Sequence, residues 1–170
     1  KNLQEKVLAI DLICLSAIKI TIYQISFTSN ILKYNFKFMH KVNKKFVKSS
    51  YFITELKLCS VRLINNKKFP WIIIIPKRYG VTDITELKIN DQLLLMKEIV
   101  LASKIMKKVF NTKKLNVEKI GNKVPQLHIH IIARNNKDSS WPLSAWVVKE
   151  KTYSKSALME IITRIRKAFK

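Results

Sequence analysis

Cysteine is scarce in this chain, and the shortage excludes proteins that are held together by cysteine chemistry. Only Cys14 and Cys59 occur in 170 residues, and they lie far apart. Neither a disulfide framework nor a zinc knuckle is therefore indicated. We interpret both cysteines as small apolar residues, which fits a reducing, cytoplasmic location.

Long uninterrupted apolar runs are missing as well. The most hydrophobic stretch, Val7 to Phe27, is interrupted by Asp11 and Lys19, so it offers no clean run of the roughly 18 apolar residues that a membrane span needs. It also has no convincing small-residue cleavage site of the kind that a signal peptide carries. We therefore expect no membrane association. Because the first methionine is Met39, we expect residues 1–38 to be an extension upstream of the true start.

Acidic residues are few, and the imbalance gives the chain a strong positive charge. There are 11 Asp and Glu against 33 Lys and Arg, for a net charge of +22. Such a charge attracts nucleic acid, nucleotides or an acidic membrane surface. Compositional bias is the alternative, because glycine and proline are rare while lysine, isoleucine and asparagine are abundant. The lysines are scattered without a nucleic-acid-binding motif, so we expect no dedicated nucleic-acid partner.

The rest of the pattern is typical of one globular domain with a core. The composition is 48% hydrophobic and 26% charged. The continuously apolar run Trp71 to Ile75 predicts a central strand. Helical spacing predicts a long helix that Asn90 or Asp91 caps and that runs to about Phe110. Further strands are predicted at 51–56, 57–64, 114–118 and 126–133, and a final amphipathic helix is capped by Ser154.

Two of the three histidines lie in the predicted strand at 126–133. Side chains alternate along a strand, so Gln126, His128 and His130 should share one face, while the apolar Leu127 and its alternate neighbours occupy the other. Two such imidazoles would lie roughly 6 to 7 Å apart, close enough to contact one phosphate group. Two surface histidines on an ordinary strand would give the same pattern. A metal site would need more ligands than this pair supplies.

The segment Gln126-Leu127-His128-Ile129-His130-Ile131-Ile132 resembles the signature of the histidine triad (HIT) family, His-φ-His-φ-His-φ-φ with φ apolar. Gln126 replaces the first histidine. Trp141-Pro142 and the stretch from Arg62 to Arg78 are also similar to that family, and the resemblance covers roughly residues 39–146. It implies an α+β fold with a mainly antiparallel sheet of about five strands, one long helix packed on it and a C-terminal helix. We accordingly expect a HIT-like domain at 39–148, a C-terminal helix at 149–170, and a homodimer.

The resemblance also implies a chemistry. His128 would attack the α-phosphorus of a dinucleoside polyphosphate or a nucleoside phosphoramidate and form a covalent nucleotidyl-histidine that water hydrolyses. His130 would donate hydrogen bonds to the phosphate or leaving oxygen. Gln126 can hydrogen-bond but cannot carry a proton at neutral pH, so the role of the first histidine is altered. No metal or cofactor is required.

Four further positions match the family's substrate contacts. Asn116 matches a position that contacts the phosphate or leaving group, or else it satisfies a turn. Asn65 or Asn66 matches a ribose-contacting position, and Trp71 belongs to the base pocket or simply to the core. Two alternatives to the enzyme stay open: a nucleotide-binding protein with weak or no turnover, and a basic nucleic-acid-binding module whose affinity falls steeply with salt.

Overall fold

Five antiparallel strands form one sheet in the computed structural model, which describes residues 40–170. The strand order is β1-β2-β3-β5-β4. The strands are β1 (Ser50–Glu55), β2 (Cys59–Ile64), β3 (Trp71–Pro76), β4 (Lys114–Glu118) and β5 (Ile129–Arg134). The expected extension at 1–38, with Cys14 and the apolar stretch at 7–27, lies outside the described residues. Within 40–170 no helix is long and apolar enough to cross a membrane.

Three helices accompany the sheet within residues 40–170, and the long one and the last one were predicted. They are α1 (Lys44–Ser49), α2 (Ile89–Phe110) and α3 (Lys155–Phe169); short 3₁₀ turns lie at Ile84–Glu86 and Ala145–Val147. Ser154 caps α3 as expected, since its hydroxyl accepts a hydrogen bond from the Ala157 N–H. The predicted cap of α2 was wrong. Lys88 occupies that position without a side-chain bond, because Asp91 lies inside the first turn and pairs with Arg78 instead.

The main core lies between one face of the sheet and the helices α2 and α3. Its members come from alternate strand positions and from the inward faces of both helices: Ile72, Ile74, Ile129 and Ile131 meet Ala102, Met106, Ile161 and Ile165. The opposite face of the central strands carries smaller clusters built on Phe46, Ile73, Trp71 and Ile132. Neither long helix covers this second face, so it is the face on which a site can form.

Strand β3 is central, as its unbroken apolar run predicted. It lies between β2 and β5, and all six of its residues are buried. Strand β5 is shorter than predicted, because it begins at Ile129 and leaves Gln126 and His128 in the segment that leads into it. Leu127 and Ile129 still enter the main core, so the predicted apolar face is confirmed.

Candidate active site

A cavity of about 510 Å³ opens on the second face of the sheet, and His128 and His130 lie in its wall. The two imidazole ring centroids are 4.6 Å apart. The other lining residues come from α1, β2, β3, the turn before β5 and the segment around the second 3₁₀ turn: Lys45, Phe46, Ser49, Ile64, Trp71, Ile120, Gly121, Asn122, Lys123, Val124, Trp146 and Glu150. The cavity thus combines an aromatic wall, two histidines and two lysines.

The hydrogen bond of His128 defines which of its nitrogens is free. Its Nδ1 lies 2.7 Å from the Gln126 carbonyl oxygen. A carbonyl oxygen can only accept, so Nδ1 carries the proton and Nε2 keeps its lone pair. Burial lowers the pKa of His128, and the charge of nearby Lys119 also lowers it. The side chain is therefore neutral at pH 7, with one unprotonated nitrogen.

His130 has the opposite arrangement. The indole N–H of Trp71 donates to His130 Nδ1 over 3.0 Å, so Nδ1 accepts and the proton lies on Nε2. Burial, followed by the proximity of His128, lowers the pKa of His130 to about 3. His130 therefore stays neutral and offers a single N–H donor. One histidine of the pair presents a lone pair and the other presents a hydrogen.

Comparison with known proteins identifies the family of this chain. The chain matches the family model of the HIT domain over residues 45–137. A HIT protein from Sinorhizobium meliloti is 31% identical, with a TM-score of 0.73 over 76% of this chain and 96% of its own. HIT proteins from Bradyrhizobium japonicum and Marinobacter aquaeolei are each 30% identical, with TM-scores of 0.74 over 76% of this chain and 98% and 96% of their own. The chain belongs to the HIT family. A comparison with curated proteins finds no match.

Family membership confirms the predicted fold class and supports a nucleotide-processing function for this HIT domain. The predicted domain boundaries remain a prediction, although the matched residues lie within 39–148. In the described part of the chain, no three His, Cys, Asp or Glu side chains are grouped so that they could hold a metal ion.

Gln126 lies outside the cavity wall of this HIT domain. Its side-chain oxygen accepts from the Asn43 N–H at 2.8 Å, and its amide nitrogen donates to the Lys41 carbonyl at 2.9 Å. The side chain thus ties the segment before β5 to the start of α1. The tether holds Gln126 at the start of α1, the helix that contributes Lys45 and Phe46 to the cavity wall, and its predicted part in the chemistry stays a prediction.

The three asparagines predicted to contact substrate, Asn65, Asn66 and Asn116, are likewise absent from the cavity wall. The side-chain oxygen of Asn65 accepts from the Tyr153 N–H, and that of Asn66 accepts from the Lys68 and Lys151 N–H groups. Both asparagines therefore hold the segment that precedes α3. Asn116 donates to Glu118 Oε1 at 3.1 Å. Of the four predicted substrate contacts, Trp71 alone lines the cavity, and it is also core, at 2% exposed.

Three residues at this site were not predicted from the sequence: Trp146 and Phe46, which line the cavity, and Glu118, which bonds to Trp146. The indole of Trp146 lies against both Trp71 and His130, with ring centroids 4.6 and 4.9 Å apart, and it donates to Glu118 Oε2 at 2.6 Å. The Phe46 ring packs edge-on to His128 at 4.5 Å. One signal was present for Trp146, since it follows the Trp-Pro pair that supported the HIT resemblance. Phe46 lies 80 residues before the motif and carried no such signal. Glu118 is only eight residues before Gln126, but a single carboxylate on a predicted strand carried none either.

Proposed function

We propose that this HIT protein is a nucleotide hydrolase that uses His128 as its nucleophile. The observation that carries the proposal is the pair of contacts at the two Nδ1 atoms, with the Gln126 carbonyl and with the Trp71 indole N–H, from which the complementary protonation of the two histidines follows. The lone pair on His128 Nε2 attacks the α-phosphorus of a nucleoside phosphate conjugate, the bond to the leaving group breaks, and that group departs with the bonding electrons. The Gln126 carbonyl stabilises the positive charge that His128 gains, because it accepts from Nδ1–H.

His130 acts on the same step from the side of the leaving group. Its Nε2–H donates a hydrogen bond to the atom on which negative charge develops, and the leaving group takes its proton from solvent. Water then attacks the phosphorus of the nucleotidyl-histidine, the P–N bond breaks, and a proton is released to solvent. His128 returns to its starting state. Lys45 and Lys123 lie in the wall of the cavity, where they attract the anionic substrate.

The direct test is release of AMP. We expect the purified protein to release AMP from a diadenosine polyphosphate, from adenosine phosphoramidate or from both, measured by chromatography, and the preferred substrate identifies the leaving group. Nucleotide binding without release would favour the alternative of a binding protein. Preference for long polyanions with a steep salt dependence would favour the nucleic-acid-binding module.

The rate should be insensitive to mild acid. Protonation of His128 removes the attacking lone pair, so kcat/KM falls only as the pH drops through the pKa of His128. Burial places that pKa below the usual 6.5. We therefore expect kcat/KM at constant ionic strength to change little from neutrality down to pH 6.5 and to fall in more acidic buffers. A fall that is half complete at pH 6.5 or above would contradict the assignment.

We also propose that the protein is a homodimer that pairs through α2 and β4. Helix α2 exposes an apolar stripe at helical spacing, in which Ile89, Leu93, Met96 and Val100 are 66, 57, 59 and 44% exposed. Strand β4 is an edge of the sheet. A stripe of this kind beside an unpaired edge fits a second copy of the chain.

Sedimentation velocity tests the dimer. We expect the wild type to sediment as a dimer and the Leu93→Glu/Val100→Glu variant as a monomer, because each change would bury a charge in the interface. The matched control is Met159→Glu, at a residue of α3 that is 57% exposed, which should remain dimeric. A monomeric wild type would refute the proposal.

A further inference from the structure

A series of side-chain contacts connects β4 with the ring of His130. Glu118 is directly opposite His130 in the pairing of β4 with β5. Its carboxylate accepts from the Trp146 indole N–H at 2.6 Å and from the Asn116 amide at 3.1 Å. The Trp146 ring in turn meets the His130 ring edge-on. Glu118 itself is not in the cavity wall, so any effect that it has on the chemistry acts through Trp146.

The hydrogen bond between Glu118 and Trp146 restrains the indole ring. Trp146 lies on a 3₁₀ turn of three residues and is 45% exposed, so packing alone holds it weakly. A charged acceptor makes a shorter and stronger bond to an N–H than a neutral one does. The carboxylate therefore fixes an indole that would otherwise change rotamer at the mouth of the cavity.

The fixed indole completes the enclosure of His130. Trp71 occupies the Nδ1 side of the imidazole, His128 lies 4.6 Å away, and Trp146 closes a further side at 4.9 Å. The ring is 4% exposed. Only the Nε2–H is left to act on a substrate, and its direction depends on the groups that hold the ring.

We propose that Glu118 and Trp146 are positioning residues for departure of the leaving group. Glu118 holds the indole, and the indole keeps His130 oriented so that Nε2–H faces the leaving atom of a conjugate attached at His128. This inference rests on the proposed function. Asn116, predicted as a direct contact to the leaving group, belongs to the same set, because its amide donates to the other oxygen of Glu118.

The proposal predicts a dependence on the leaving group that a general structural role would not produce. A group that departs with little help needs no hydrogen bond, whereas a strongly basic one does. Two AMP esters separate the cases: the p-nitrophenyl ester, with a good leaving group, and a simple alkyl ester, with a poor one. The p-nitrophenyl rate also reports whether each variant is folded.

The informative variants are Trp146→Phe, which keeps a ring but loses the N–H, and the pair Glu118→Gln and Glu118→Ala. We expect Trp146→Phe and Glu118→Ala to lower kcat on the alkyl ester by about 10- to 100-fold. The loss of kcat on the p-nitrophenyl ester should be at least tenfold smaller than the loss on the alkyl ester. KM should change little, and Glu118→Gln should recover part of the loss because its amide oxygen still accepts. His130→Gln sets the upper limit, at about a hundredfold or more.

Glu160→Gln is the matched control, since Glu160 is an exposed carboxylate on α3, and it should behave as wild type on both esters. Equal losses on the two esters, or no loss on either, would overturn the positioning role while leaving the hydrolase intact. A wild type that releases AMP from neither ester, but does release it from a diadenosine polyphosphate or from adenosine phosphoramidate, would overturn this inference alone. Release from none of these substrates would overturn the hydrolase and this inference together.

Discussion

His128→Ala should lose at least about 10⁴-fold in kcat, the scale on which removal of a nucleophile abolishes covalent catalysis in other enzymes. The change deletes the atom that forms the bond to phosphorus, and His130 cannot replace it, because its Nδ1 is occupied by Trp71 and its Nε2 carries the proton. Nucleotide affinity should stay within a few-fold of wild type, since the remaining cavity wall is retained. The largest single effect on activity is expected here.

Two measurements check this result. AMP release over time gives kcat, and equilibrium titration with AMP gives the affinity of the same variant. His40→Ala is the matched control, because His40 is the third histidine and lies outside the cavity wall. Turnover by His128→Ala that is comparable with wild type would refute the nucleophile assignment, whatever the binding data show.

Arg134→Met should produce the largest loss of stability, about 3 to 5 kcal/mol in the free energy of unfolding, which is typical when one partner of a buried ion pair is removed. Arg134 is 2% exposed, and its guanidinium donates to Asp138 at 2.7 and 2.9 Å and to the Leu143 carbonyl at 2.8 Å. It also lies over the rings of Phe69 and Trp141. Methionine fills some of this volume but leaves the Asp138 carboxylate without its cation.

Urea unfolding at neutral pH measures this loss, and Arg164→Met is the control. Arg164 also donates to a backbone carbonyl and lies over a ring, but it is exposed, so its removal should cost at most about 1 kcal/mol. Similar losses for the two variants would contradict the prediction.

Acid should weaken the same pair. The Arg134 guanidinium, helped by the backbone N–H groups of Asn135 and Ser140, lowers the pKa of Asp138 from 3.8 to about 2. The stabilisation is therefore fully present above the pKa of Asp138 in the unfolded chain and is lost as the pH falls through its pKa in the folded protein. The loss amounts to about 2 kcal/mol in the free energy of unfolding. Arg134→Met removes the largest contribution to this pH dependence. The difference in free energy of unfolding between the variant and the wild type should therefore be smaller in strong acid than at neutral pH.

The fold was predictable where a local pattern decides the structure. The unbroken apolar run predicted the central position of β3, the strand 114–118 was placed correctly, and Ser154 caps α3 as its residue type suggested. Helix α1 was missed because it has only six residues, half of them lysine, with Phe46 as its only buried residue. A helix that short is stabilised by tertiary packing, which no local periodicity reveals.

The site was predictable only in part, for a related reason. Alternation along the strand correctly paired Leu127 with Ile129 in the core and brought the two histidines to one cavity. Gln126, Asn65 and Asn66 were assigned because they match family positions, yet each has a hydrogen-bond partner more than 80 residues away in sequence. Such partners depend on which segments the fold brings together, so residue type and spacing could not identify them.

The contact that orients His128 comes from a main-chain oxygen, and this has a consequence for how the motif can diverge. Every amino acid at position 126 has a main-chain carbonyl, so a substitution there keeps the hydrogen bond that orients His128. The Gln126 side chain is therefore not needed for this contact, and it instead forms two hydrogen bonds with the backbone at the start of α1. The altered first residue of the motif therefore still supplies the carbonyl that bonds to His128 Nδ1.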